Sequence, residues 1–161
     1  VLVEERVALC RKLYENEEER TINRQAGRES SGRNWQLDIE EGIVLNIDKY
    51  YMSQALDNLI INSINYAKRG TIGINLKQDK DKEAIVFSIS DEGIGIPPDE
   101  LDEVFEEFIV SSRTQTFAGG RGVGLAVCKK VIEVHGGAIK AESKKMGTRI
   151  SFTLPKITKN R

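Results

Sequence analysis

The chain has 161 residues, most economically one domain with a sizeable core, and its net charge of −1 comes from 24 basic and 25 acidic residues. That balance excludes a global field steering it toward nucleic acid or an anionic membrane surface. Hydrophobic content of 39% is ordinary for a soluble globular protein, and no apolar run approaches the ~20 residues that direct membrane insertion needs.

Cys10 and Cys128 stand far apart and unaccompanied, which fits inert thiols in a reducing compartment. The chain starts at Val1 rather than Met, which predicts a piece of a longer protein. The opening "VLVEERVALCRKLYE" places Val3, Val7, Cys10 and Leu13 or Tyr14 at helical spacing. Residues 16–34 lose that period, carry mixed charge and are punctuated by Gly27 and Gly32, so a solvated connector is expected. "NWQLDIEEGIVLNID" predicts two short strands around a turn at Glu40–Gly42. A long helix follows, with Asp48 as N-cap and Gly70 as its stop.

"TIGINLK" and "AIVFSIS" predict a strand pair, and "DELDEVFEEF" a short acidic helix. A second helix is expected from about Gly122 to His135, ended by Gly136 and Gly137, with Val127, Val131 and Val134 on its buried side. "AIKAES" and "TRISFTLP" close the chain as a hairpin, so the sheet should be mixed or mainly antiparallel.

On the long helix, Met52, Leu56, Leu59, Ile60, Ser63, Ile64 and Ala67 form the core-facing stripe. Gln54, Asn58, Asn62 and Asn65 line up on roughly the opposite side. Asparagine is a poor helix-interior residue because its side chain competes for backbone hydrogen bonds. A solvated polar face and a face of carboxamide oxygens for Mg²⁺ with phosphate are equally good readings of this feature alone.

Gly119, Gly120, Gly122 and Gly124 cluster where the second helix begins, a geometry that lets backbone N–H groups converge on an anion. Neither a Walker A loop nor the dinucleotide fingerprint is present. His135, the only histidine, sits at a helix C-terminus with no acid, cysteine or second histidine at metal or triad spacing, so a structural cap is the better reading.

"NLIINSINYA" (58–67), "DEGIGIP" (91–97), "VFEEF" (104–108), "GGRGVGLAV" (119–127) and "GTRISFTLP" (147–155) resemble, in order and spacing, the N box, first glycine box, F box, second glycine box and final strand of the GHKL ATPase superfamily. The chain looks closest to the catalytic, ATP-binding domain of bacterial sensor histidine kinases over roughly 35–155. The resemblance implies the Bergerat fold, an α+β two-layer sandwich with a mixed, mainly antiparallel sheet, about three helices and a mobile lid loop. It also implies one catalytic domain over 1–161, with a leading helix and connector at 1–34, a core at 35–155 and an ATP lid at 109–121.

By the same resemblance the cofactors are ATP and Mg²⁺, with Asn62 as metal ligand and Asn58 one turn earlier. Asp91 is similar to the aspartate that accepts from the exocyclic amine of adenine, with Gly93, Gly95 and Ile96 closing on the base and Thr148 beside it. Tyr66 matches a tyrosine near the nucleotide. Gly120, Gly122 and Gly124, with Val123 and Leu125 between and after them, would receive phosphates, and Arg113 on the lid would meet the terminal phosphate. Two positions depart from the pattern: Asn65 stands where a basic residue is common, and Arg121 where a small hydroxyl residue is common.

Members that hydrolyse ATP carry a glutamate one turn before the metal asparagine, and here that position is Asn58, which cannot act as a general base. Kinase chemistry is therefore expected, toward a histidine on a dimerisation domain absent from this chain, with a response regulator downstream. An isolated domain of this kind is expected to be monomeric and cytoplasmic. An anti-sigma-type serine kinase and a degenerate nucleotide-binding signalling module are the alternatives.

Overall fold

The computed structural model describes residues 2–15, 33–67, 69–106 and 124–156. Helix α1 (Leu2–Cys10) runs into one π-helical turn (Arg11–Glu15) and buries Val3, Val7 and Cys10, as the spacing predicts. Strand β1 (Arg33–Ile39) is followed by α2 (Lys49–Tyr66), β2 (Gly70–Asp79), β3 (Ala84–Asp91), α3 (Gly124–Val134), β4 (Ala138–Ser143) and β5 (Thr148–Pro155). The five strands form one sheet in the order β1-β2-β3-β5-β4. Only β1 and β2 are parallel, because α2 carries the chain across between them; the other pairings are antiparallel. This is the mixed, mainly antiparallel α+β arrangement expected.

The core lies between the sheet and the helices. Successive side chains of a strand point to opposite faces, so Ile85, Phe87 and Ile89 of β3 all bury against the helical layer. Phe87 stacks on Phe152 of β5 with ring centroids 4.7 Å apart. From α2, Met52, Leu56, Leu59, Ile60, Ser63, Ile64 and Ala67 are buried, and Ala55 joins them. A bidentate pair ties α1 to α2: Arg6 Nε and Nη2 donate to Asp57 Oδ1 and Oδ2 at 2.7 and 2.6 Å. Cys10 and Cys128 are buried free thiols, each pushed up to about 12 by burial, so neither offers a thiolate.

Four expectations need correction. Residues 43–48 form no strand: Ile43, Leu45 and Ile47 pack against the core while Val44, Asn46 and Asp48 are exposed, so the alternation is satisfied without a ladder partner. Gly70 does not stop α2, which ends at Tyr66; Arg33 of β1 supplies the cap, donating to the carbonyls of Ile64 and Ala67 at 3.0 and 2.8 Å. Gly70 instead takes a positive φ of 88° at the start of β2, where an added Cβ would run into Glu92.

The acidic segment forms two 3₁₀ turns, Pro98–Glu100 and Glu103–Phe105, rather than an α-helix. Leu101, Val104 and Phe105 anchor it to the core, but so short a segment cannot nucleate a helix unaided. Finally, α3 faces the core with Cys128, Val131 and Ile132, whereas Val134 is exposed.

Candidate functional site

The parity that buries Ile85, Phe87 and Ile89 carries on to the last residue of β3. Asp91 therefore points into the same layer, with 9% of its surface exposed. Across the ladder, its register partner on β5 is Thr148, also buried. Above it lies Ser63, whose place in the core-facing stripe of α2 aims its hydroxyl down at the strand end. Ser63 Oγ donates to Asp91 Oδ2 at 3.4 Å, and the Gly93 N–H donates to Oδ1 at 3.0 Å. Burial raises the Asp91 carboxyl above its ordinary range, and the donors at Gly93, Ser63 and Thr148, with the Lys144 ammonium, partly offset that rise.

The turn after β3 closes tightly on this acid. A Cβ at Gly93 would stand 2.5 Å from the Tyr66 carbonyl oxygen, so only glycine lets the turn meet the end of α2. Gly95 holds a φ of 73° and Ile96 is buried in the core. From the other side, Gly147 at φ 80° presses its backbone against the Asp91 carbonyl, where any side chain would overlap. The exposed Glu92 turns away and accepts from the Thr71 N–H at 2.8 Å, pinning the turn to the start of β2.

Farther along α2, Asn58 Nδ2 donates to the Gly124 carbonyl at 3.3 Å. Gln54, Asn58 and Asn62 are half-buried and only Asn65 is exposed. Asn58 thus borders the start of α3, while Asn65 faces water. Tyr66 is half-buried at the end of α2, and Leu125 is half-buried on α3 against the core. The structure therefore brings Asp91, Gly93, Gly95, Ile96, Thr148 and the C-terminal half of α2 to one end of the sheet, with Gly124 beside Asn58. Arg113, Gly120, Arg121, Gly122 and Val123, and with them the expected lid at 109–121, lie outside the described residues.

Two contributors escaped the sequence reading. Ser63 was legible only as the one polar member of an apolar stripe, and Gly147 only as the glycine before Thr148. His135 takes the structural role expected of it. The Asp48 N–H donates to Nε2 at 3.0 Å, which makes Nδ1 the protonated nitrogen, donating to the Val131 carbonyl at 2.7 Å.

The family described as histidine kinase-, DNA gyrase B-, and HSP90-like ATPase matches residues 47–158, a span that takes in all of α2, the Asp91 turn and both closing strands. This chain belongs to that ATPase family. Among its relatives, the sensor histidine kinase WalK of Bacillus subtilis (strain 168) is 37% identical over 120 residues, 72% of this chain and 20% of that protein. The methanogenesis regulatory histidine kinase FilI of Methanothrix harundinacea (strain 6Ac) is 37% identical over 134 residues, 81% of this chain and 15% of that protein. A solved structure of the mycobacterial sensor histidine kinase MprB superposes with a TM-score of 0.71 at 28% identity, covering 94% of each chain. The chain spans about a fifth of the length of its WalK relative. Within the ATPase family it corresponds to the catalytic domain of sensor histidine kinases.

The residues present fit a nucleotide. A buried carboxylate held, among the described residues, by hydrogen bonds gains from any further N–H donor, because desolvation of its charge is only partly offset. The half-buried carboxamides of Asn58 and Asn62 are neutral hard donors of the kind that shares Mg²⁺ with phosphate oxygens.

Proposed function

We propose that this chain binds ATP with Mg²⁺ and presents the γ-phosphoryl group to a histidine on the dimerisation domain of the same kinase, from which a response regulator takes it. The observation that carries this reading is Asp91: a carboxylate buried at the end of β3, ringed by Ser63, Gly93 and Thr148. An acceptor-only group in that setting suits the exocyclic amine of adenine and repels the carbonyl that guanine places there. Gly93, Gly95 and Ile96 let the backbone lie against the base, Thr148 adds its side chain beside Asp91, and Tyr66 flanks them.

Asn62, one turn after Asn58, would hold the Mg²⁺, which supplies charge neutralisation for the phosphates when bound. Gly120, Gly122 and Gly124 with Arg121, Val123 and Leu125 would receive the phosphates at the start of α3, and Arg113 on the lid at 109–121 would meet the terminal one. Asn65 would lie at the nucleotide's margin without charge. A carboxamide at Asn58 cannot take a proton from water, so this domain positions ATP for transfer instead of hydrolysing it quickly.

No helix among the described residues is long and apolar enough to cross a membrane, and ATP supply puts the working domain in the cytoplasm, alone or as part of a receptor. The direct test mixes the domain, γ-labelled ATP and Mg²⁺ with the isolated dimerisation domain encoded in the full-length gene. Label should appear on histidine as an acid-labile, base-stable phosphoramidate. Tight ATP binding without any transfer would sink the kinase reading.

A further inference from the structure

We infer that Ser63 is a positioning residue for base recognition, whose hydroxyl fixes the plane of the Asp91 carboxylate so that its remaining lone pairs face the nucleotide. The inference rests on the adenine reading of Asp91 and adds a residue to it. Ser63 occupies a position in the core-facing stripe of α2, between Leu59, Ile60 and Ile64, where an aliphatic side chain would bury apolar area. It is only 4% exposed, and burying a hydroxyl costs stability unless it is hydrogen-bonded.

A serine inside a helix ordinarily turns back on the carbonyl one turn earlier. Here Ser63 Oγ reaches across 28 positions of sequence to Asp91 Oδ2 instead. The 3.4 Å separation is longer than the best O–H···O bonds and leaves room to tighten when a ligand arrives.

The geometry gives the hydroxyl a definite task. The Gly93 N–H holds Oδ1 and the Thr148 N–H adds a backbone donor from β5, both from the strand side of the carboxylate. A side-chain donor at Oδ2 from the helix side braces the plane against rotation about the terminal torsion and fills an inward lone pair. What remains accepts from an incoming N–H. Among the described residues, the groups facing the carboxylate are Ser63 from α2, the Gly93 N–H from its own turn, the Thr148 N–H from β5 and the Lys144 ammonium from the β4–β5 turn. Among the described residues Ser63 is the side chain hydrogen-bonded to Asp91, whereas Lys144 acts through its charge, so Ser63→Ala removes a bond without touching backbone or net charge.

The test compares Ser63→Ala with the unaltered domain in two measurements. In the ligand-free protein, ¹³C-detected carboxyl titration follows Asp91 directly. Loss of the hydroxyl should move its midpoint to higher pH. In calorimetry with a non-hydrolysable ATP analogue, Ser63→Ala should bind roughly tenfold more weakly, with the deficit growing toward acid. An unmoved Asp91 midpoint overturns the proposal, as does a loss of affinity that is the same at every pH, since a packing defect alone would produce that pattern. Failure of the unaltered domain to bind ATP would overturn the nucleotide reading instead, and the titration would still decide on Ser63.

Discussion

The two ends of α2 carry similar equipment for opposite ends. At its N-terminus, Asp48 caps the helix by accepting from the Tyr51 N–H at 3.1 Å, and its own N–H donates to His135. Both nitrogens of that imidazole are committed, one to Asp48 and one to Val131, so the arrangement is closed. Near the C-terminus, Ser63, Gly93 and Thr148 converge on Asp91, which has two oxygens with about two lone pairs each. That arrangement stays open. Both ends keep a carboxylate with acceptor capacity to spare, but Asp48 is exposed to water whereas Asp91 is buried, and burial holds the Asp91 carboxyl out of its ordinary range. Spare hydrogen-bonding capacity in a buried group separates a site from a cap.

The largest effect should come from breaking the open end. Asp91→Ala should weaken binding of an ATP analogue by at least roughly a hundredfold while circular dichroism and melting stay native-like, because it removes the acceptor and leaves the ligand amine unpaired. Unchanged affinity in calorimetry would refute the adenine role. Breaking the closed end should do the reverse. His135→Ala should cost about 1–2 kcal/mol in urea unfolding, through two lost hydrogen bonds, one joining the start of α2 to the end of α3 and one back onto α3 itself, and leave nucleotide affinity untouched. A drop in affinity without a drop in stability would reverse the assignment of the two ends.

The smallest effect sharpens the comparison through pH. Because the folded Asp91 carboxyl titrates above the unfolded one, the native state holds its proton longer. The stability this contributes is fully present below the unfolded value of about 3.9 and is lost as pH rises through the raised folded value. Asp91→Asn, which cannot ionise, should therefore flatten the fall in urea midpoint as pH climbs from that range toward neutrality. The ligand-free variant should be the more stable protein at pH 7. A midpoint–pH curve parallel to that of the unaltered domain would remove burial as the source of the shift.

Much of this was legible in the sequence because local chemistry settles it. Asp48 caps α2 because a carboxylate before a helix meets its orphan N–H groups, and the hairpins follow from period-2 runs on either side of charged turns. Where the local signal was mute or double-valued, packing decided. Residues 43–48 alternate like a strand, and alternation reports only that one face is covered, not that a neighbour completes the ladder. Gly70 resembled a helix stop, but Arg33 from a distant strand caps the helix and Glu92 explains the glycine.

The sequence by itself determined the identity of the groups: an acid ending an apolar strand, glycines after it, carboxamides in register along a helix. Only the tertiary structure decided their orientation. Asp91 faces the helical layer because β3 keeps its parity to the last residue, and Ser63 meets it because the stripe that buries Leu59 and Ile60 aims one hydroxyl at that strand end. A residue's type fixes what it can bond to. Which partner it bonds to depends on contacts between segments far apart in the chain, and those exist only once the core has closed.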